Sequence, residues 1–171
     1  METSTRGERS TGKRALKRSW RGGEDAENMK TDISRRIAAL RAEFPFMVNE
    51  PATPEEILKA EKELQLTFSR EYKELLAITS GAMLGPFPFF GTRANELMDT
   101  SLSTVVSVTR FYRMGKWPIP ADAFVFSQDH AGNAIYCDGS GTVRKYDHDV
   151  GSKSVVSPNV VAFAMMCMAD T

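Results

Sequence analysis

Apolar positions recur at helical spacing through the first half of the chain and at strand spacing through much of the second. Ile33, Ile37 and Leu40 fall three and four positions apart, with Arg35, Arg36 and Arg41 on other faces. That pattern predicts a helix starting near Asp32. Phe44-Pro45-Phe46 should end it, because the residue before a proline avoids the α region. The next start is sharper. Thr53 suits an N-cap, Pro54 the first helical position, and Glu56 the third position of a capping box. Ile57, Ala60 and Leu64 then form a stripe. Ser69 predicts a second cap, followed by Tyr72, Leu75 and Leu76, with Ser80-Gly81 as the stop.

Beyond Gly81 the pattern changes. Pro86-Phe87-Pro88-Phe89-Phe90-Gly91 reads as an extended or edge segment, since proline cannot donate to a sheet ladder. Leu102, Val105, Val106, Thr109 and Tyr112 share a helical face, although the β-branched content leaves a strand open there. Phe124–Phe126, Ala134–Cys137 and Thr142–Tyr146 read as three strands. Turn chemistry joins them at His130-Ala131-Gly132-Asn133 and Asp138-Gly139-Ser140-Gly141. Ser157 as N-cap and Pro158 after it open a last, largely buried helix through Met165. The order predicts an α+β fold: N-terminal helices packed on a mostly antiparallel sheet, with a closing C-terminal helix.

The 171 residues suit one domain, and 42% hydrophobic content is enough for a core. No apolar run approaches the roughly 20 residues that cross a bilayer, and the start of the chain has no apolar leader segment. Two cysteines are too few for a disulfide scaffold and fit a reducing cytoplasm. The net charge of +0 hides an asymmetry. Residues 1–22 carry seven basic and two acidic groups, a surplus of +5, which leaves −5 on the rest. Residues 1–30 are expected to be a disordered basic extension and 31–171 a single domain. Leu16 and Trp20 are spaced to form one helical turn against a partner, though a solvated tail is the plainer expectation. The acidic body should attract basic partners and bind nucleic acid poorly.

Catalytic chemistry finds little support. Asp147-His148-Asp149, with Asp129-His130 upstream, offers groups for a divalent metal or acid–base work. A small metal-dependent hydrolase on His130, Asp147, His148 and Asp149 is one reading. Neighbours on a strand face opposite ways, however, and aspartates commonly shape turns. The preferred expectation is therefore a turn after the strand ending at Tyr146, with no metal and no cofactor. Cys137 and Cys167 are expected in the core rather than as nucleophiles. Gly139-Ser140-Gly141 lacks the Gly-Lys-Ser/Thr ending of a phosphate loop and sits between strands. Phe87, Phe89 and Phe90 are expected to pack inside rather than form a recognition patch.

Several segments, in order, resemble the SUKH superfamily of bacterial toxin-immunity proteins and a fungal cell-wall-synthesis regulator. Thr53-Pro54-Glu55-Glu56-Ile57 with Ala60-Glu61 and Leu64 is similar to the family's opening helix. Phe68 to Leu76 followed by Ser80-Gly81 resembles its next segment, with Phe68-Ser69 in place of leucine-proline and Ser80 in place of asparagine. Ile119-Pro120-Ala121-Asp122, Asp129-His130-Ala131-Gly132-Asn133 with Tyr136 and Asp138, and Val143 with Tyr146 to Asp149 resemble the central strands and their turns. Val161-Ala162-Phe163 fits the closing helix, so the likeness runs from 53 to 167. It implies a non-enzymatic, cytoplasmic immunity protein that binds and blocks a cognate toxin domain, often one that attacks nucleic acids. It also leaves open a scaffold or regulatory role of the cell-wall type. Under the immunity reading Asp122, Asp129, Asp138, Asp147 and Asp149 are the expected partner contacts.

Overall fold

The computed structural model describes residues 23–98 and 101–169. Its first helix, α1 (Glu24–Glu43), begins eight residues before the expected start near Asp32. Part of the expected extension is therefore helical. Glu24, Asp25 and Glu27 fill the first turn, where the helix dipole favours negative charge. The pair Leu16 and Trp20 lies outside the described residues. Phe44 ends α1, and a 3₁₀ turn (Pro45–Met47) follows.

The caps expected in the helical half form as read. In α2 (Pro54–Leu64) the Thr53 hydroxyl accepts from Glu56 N at 3.2 Å, and the Glu56 carboxylate accepts from Thr53 N at 2.8 Å. In α3 (Arg70–Leu76) the Ser69 hydroxyl accepts from Tyr72 N at 3.2 Å. The stop differs from expectation. α3 closes at Leu76 rather than at Ser80-Gly81. Thr79 and Ser80 then bond to a distant segment: Ser80 N donates to Glu50 O at 2.8 Å, and the Thr79 hydroxyl to Asn49 O at 2.9 Å. Gly91 is required close by, because a Cβ there would collide with the Ser80 carbonyl.

Two short strands, β1 (Ala82–Leu84) and β2 (Phe87–Phe89), pair antiparallel, so the proline-broken aromatic run is indeed extended. Leu102 onward resolves to a helix, α4 (Val105–Met114), with Thr104 and Ser107 forming a reciprocal capping box. β3 (Phe124–Gln128), β4 (Ala134–Cys137), β5 (Val143–Asp147) and β6 (Ser152–Ser157) make an antiparallel meander in chain order. β6 was not expected. Its side chains are exposed over the first four residues, so no apolar alternation marks it. Ser157 is its last residue, and the N-cap of α5 (Val160–Cys167) is Asn159, two positions later than the sequence suggested. There Asn159 Oδ1 accepts from Ala162 N at 2.8 Å.

The four-stranded sheet is covered on both faces. Phe124, Phe126, Ile135 and Cys137 pack with apolar residues of α1, α2, α3 and α5. Val125, Ala134 and Tyr136 pack with Phe90 and with Val108 and Tyr112 of α4. Tyr72 sits at the centre of the first core, fully buried, with its ring against those of Phe68, Phe89 and Phe124. Its hydroxyl donates to Phe90 O at 2.7 Å, so the buried oxygen is satisfied. Phe89 and Phe90 are buried and Phe87 is half-buried, the packing role expected of them. Among the described residues no helix is long and apolar enough to cross a membrane.

Candidate partner-binding surface

The meander sorts the five aspartates by strand direction. β3 starts and β4 ends at one rim of the sheet, which places Asp122 and Asp138 there. β3 ends and β5 ends at the other rim, which places Asp129, Asp147 and Asp149 there. Strands of this length separate the rims by about 15 Å. The five therefore form two groups rather than one acidic face.

Their carboxylates also differ in what they already hold. Asp138 shapes the β4–β5 turn. It accepts from Ser140 N at 3.0 Å, the Ser140 hydroxyl at 2.6 Å and Thr142 N at 3.1 Å, and it pairs with Arg144 Nε at 2.7 Å. Asp122 lies against the same turn, since a Cβ on Gly139 would strike its carboxylate. Asp129 shapes the β3–β4 turn, accepting from Ala131 N, Asn133 N and the Asn133 amide at 2.9–3.0 Å, with Lys145 Nζ at 3.6 Å. For both Asp129 and Asp138, burial alone would push the carboxyl up. The hydrogen bonds and the facing cation outweigh it and hold both below the usual carboxylate range. Asp147 accepts from Asp149 N and Val150 N, the turn role expected of it. The Asp149 carboxylate is 74% exposed.

One buried amide joins the two turns of the second rim. Asn133 donates through Nδ2 to Asp129, and its Oδ1 accepts from His148 N at 3.0 Å and faces His148 Nδ1 at 2.6 Å. A carboxylate cannot donate, so Nδ2 must face Asp129 and Oδ1 must face the His148 N–H groups. His148 Nε2 lies 3.3 Å from Asp149. This chain of contacts uses the histidine for positioning. Among the described residues no group of three or more His, Cys, Asp or Glu side chains converges as metal ligands. His130, Asp147, His148 and Asp149 are not brought together as such a group. Cys137 and Cys167 are both buried and unbridged, and burial pushes their thiols up to about 11 and about 12. Such thiols stay protonated at neutral pH and are poor nucleophiles.

Sequence reasoning missed a groove beside this rim. Ile135 and Val156 of the sheet, Phe87 of β2, and Phe163, Met166 and Cys167 of α5 line an opening of about 390 Å³. Asp129, His130 and Lys145 stand at its edge. The only signal in the sequence was Met166, an apolar residue on a helix apolar on several sides; no local pattern ties it to β2.

The profile of the SMI1/KNR4 family (SUKH-1) matches residues 51–165, more than half of the chain. The protein belongs to this family. The match starts just before the cap of α2 and runs into α5, so it covers α2 to α4, most of α5 and the whole four-stranded sheet of this SUKH-1 chain, and leaves out α1. No curated protein matches the chain. Membership places it in a superfamily of immunity proteins and cell-wall regulators whose members are generally non-enzymatic and bind protein partners.

Proposed function

We propose that this SUKH-1 protein is a cytoplasmic immunity protein that neutralises a cognate, nucleic-acid-targeting toxin domain by stoichiometric, non-covalent occupation. The observation that carries the reading is the state of the carboxylates at the second sheet rim. Asp149 is open to solvent on a turn that Asn133 fixes in place. The described part of the chain lies within a body that carries −5 overall. A domain that grips phosphates presents a basic cleft, and a rigid acidic surface attracts it over about a Debye length. Asp122, Asp147 and Asp149 are the proposed charge contacts. Asp129 and Asp138 act through the turns that they hold. Attraction of this kind raises the association rate more than it tightens the final complex.

The test is co-expression with the toxin domain encoded beside the gene, followed by titration of the purified pair. Survival of the cells and a one-to-one complex of nanomolar or tighter affinity are expected. Absence of both protection and complex removes the reading. Micromolar binding to several unrelated partners would move the protein to the regulatory branch of the superfamily.

A further inference from the structure

Steering by charge leaves open which residues hold the partner once it arrives. Phe44, Phe46 and Leu97 are 38%, 48% and 52% exposed. A single exposed apolar residue needs no explanation, but these three belong to two segments that a buried amide clamps together. Asn95 is 3% exposed. Its Nδ2 donates to Phe46 O at 3.1 Å and to Asn49 Oδ1 at 3.0 Å, and its Oδ1 accepts from Leu97 N at 3.0 Å. Asn49 in turn donates to the carbonyls of Arg93 and Ala94. The Phe44 and Phe46 rings meet edge to face, 6.2 Å apart. The patch is thus ordered before any partner binds, which lowers the cost of association.

Its rim is acidic. Glu43 precedes Phe44, Glu50 follows Asn49 and Glu96 precedes Leu97; all three are exposed, and none makes an ion pair within 4 Å among the described residues, although Arg93 feels the charge of Glu50. The nearby cations are engaged elsewhere. Arg41 donates to Asn49 O and Ile78 O, and Arg93 clasps both oxygens of Glu56. A second copy of the chain is a poor occupant, because a two-fold contact would set these carboxylates against their own counterparts. Nucleic acid is repelled by the same sign.

We infer that the patch of Phe44, Phe46 and Leu97 is the anchor of the interface, and that it takes a protein surface with an apolar depression ringed by lysine and arginine. This rests on the immunity reading and names the contact within it: the turn carboxylates set the approach, and the patch sets the residence time.

The experiment follows the toxin domain encoded beside the gene binding to the full chain and to four exposed-site variants. Phe46→Ala/Leu97→Ala should speed dissociation by about thirtyfold, the scale of an anchor residue, with the association rate within about twofold. Glu43→Lys/Glu96→Lys should slow association and speed dissociation together. Asp149→Lys should slow association alone, and Met166→Glu in the groove should change neither rate. Hydrogen exchange on the wild-type complex should show protection at residues 43–50 and 95–98, a readout that needs no variant to fold. Unprotected amides there, or wild-type dissociation of the patch variants with loss of binding by Met166→Glu, would overturn the anchor and leave the immunity reading standing. No complex with the wild-type chain would remove the immunity reading and the anchor with it.

Discussion

The β4–β5 and β5–β6 hairpins carry the same chemistry to opposite ends. Each turn starts with an aspartate that accepts backbone N–H groups. In the first, Asp138 adds Ser140, Thr142 and Arg144, and its carboxylate is drawn inward until 15% of the side chain is exposed. In the second, Asp147 holds the turn with one oxygen and leaves Asp149 beside it in water. The difference is the residue across the ladder. Arg144 points back along its own strand to Asp138, whereas Lys153, opposite Tyr146 on the edge strand, makes no ion pair with either Asp147 or Asp149. Both turns use their first aspartate structurally, and the cation in register with Asp138 buries its carboxylate while the second turn leaves Asp149 exposed.

Substitutions can break that comparison. The largest effect is expected at Asp138. Asp138→Ala strands two backbone donors and the Arg144 guanidinium, and it should cost about 2–3 kcal/mol in chemical denaturation. A loss under 0.5 kcal/mol would mean that the turn needs none of these bonds. Asn133→Ala should cost about 1–2 kcal/mol, since it removes the amide shared by both turns of the second rim. Its melting temperature should fall without a change in helix content.

A pH titration sharpens the contrast. The folded carboxyls of Asp129 and Asp138 lie below their unfolded value near 4. Their contribution to stability is in place above about pH 4 and is lost as the pH falls through the lower, folded values. Asp129→Asn/Asp138→Asn should flatten stability against pH across that acid window. The smallest change in stability belongs to Asp149→Lys, within about 0.5 kcal/mol of wild type. Its effect should show instead in a slower association with the toxin domain at low salt, a difference that closes as salt is raised.

What was legible follows from how local each signal is. Thr53 with Glu56 and Ser69 with Tyr72 act over three residues, so their caps were readable and formed. Thr104 with Ser107 is as local, yet serine in the third position replaced the expected glutamate or glutamine and hid the box. The stop after α3 was misplaced because the groups that end it, Asn49 and Glu50, lie about 30 residues away in the chain. The strand β6 was hidden because an edge strand with solvent on most of its length has no apolar alternation to show.

The order of the helices and of the strands before β6, the burial of Phe89 and both cysteines, and the family itself were determined by the sequence, because periodicity, caps and motif order are written in near neighbours. Tertiary structure alone decided which aspartates remain available, where the groove opens, and that the segments carrying Phe46 and Leu97 are held together. Each of those depends on register or on a bond between segments far apart in the chain, such as Asn95 to Phe46 across 49 positions, and no local pattern carries that distance.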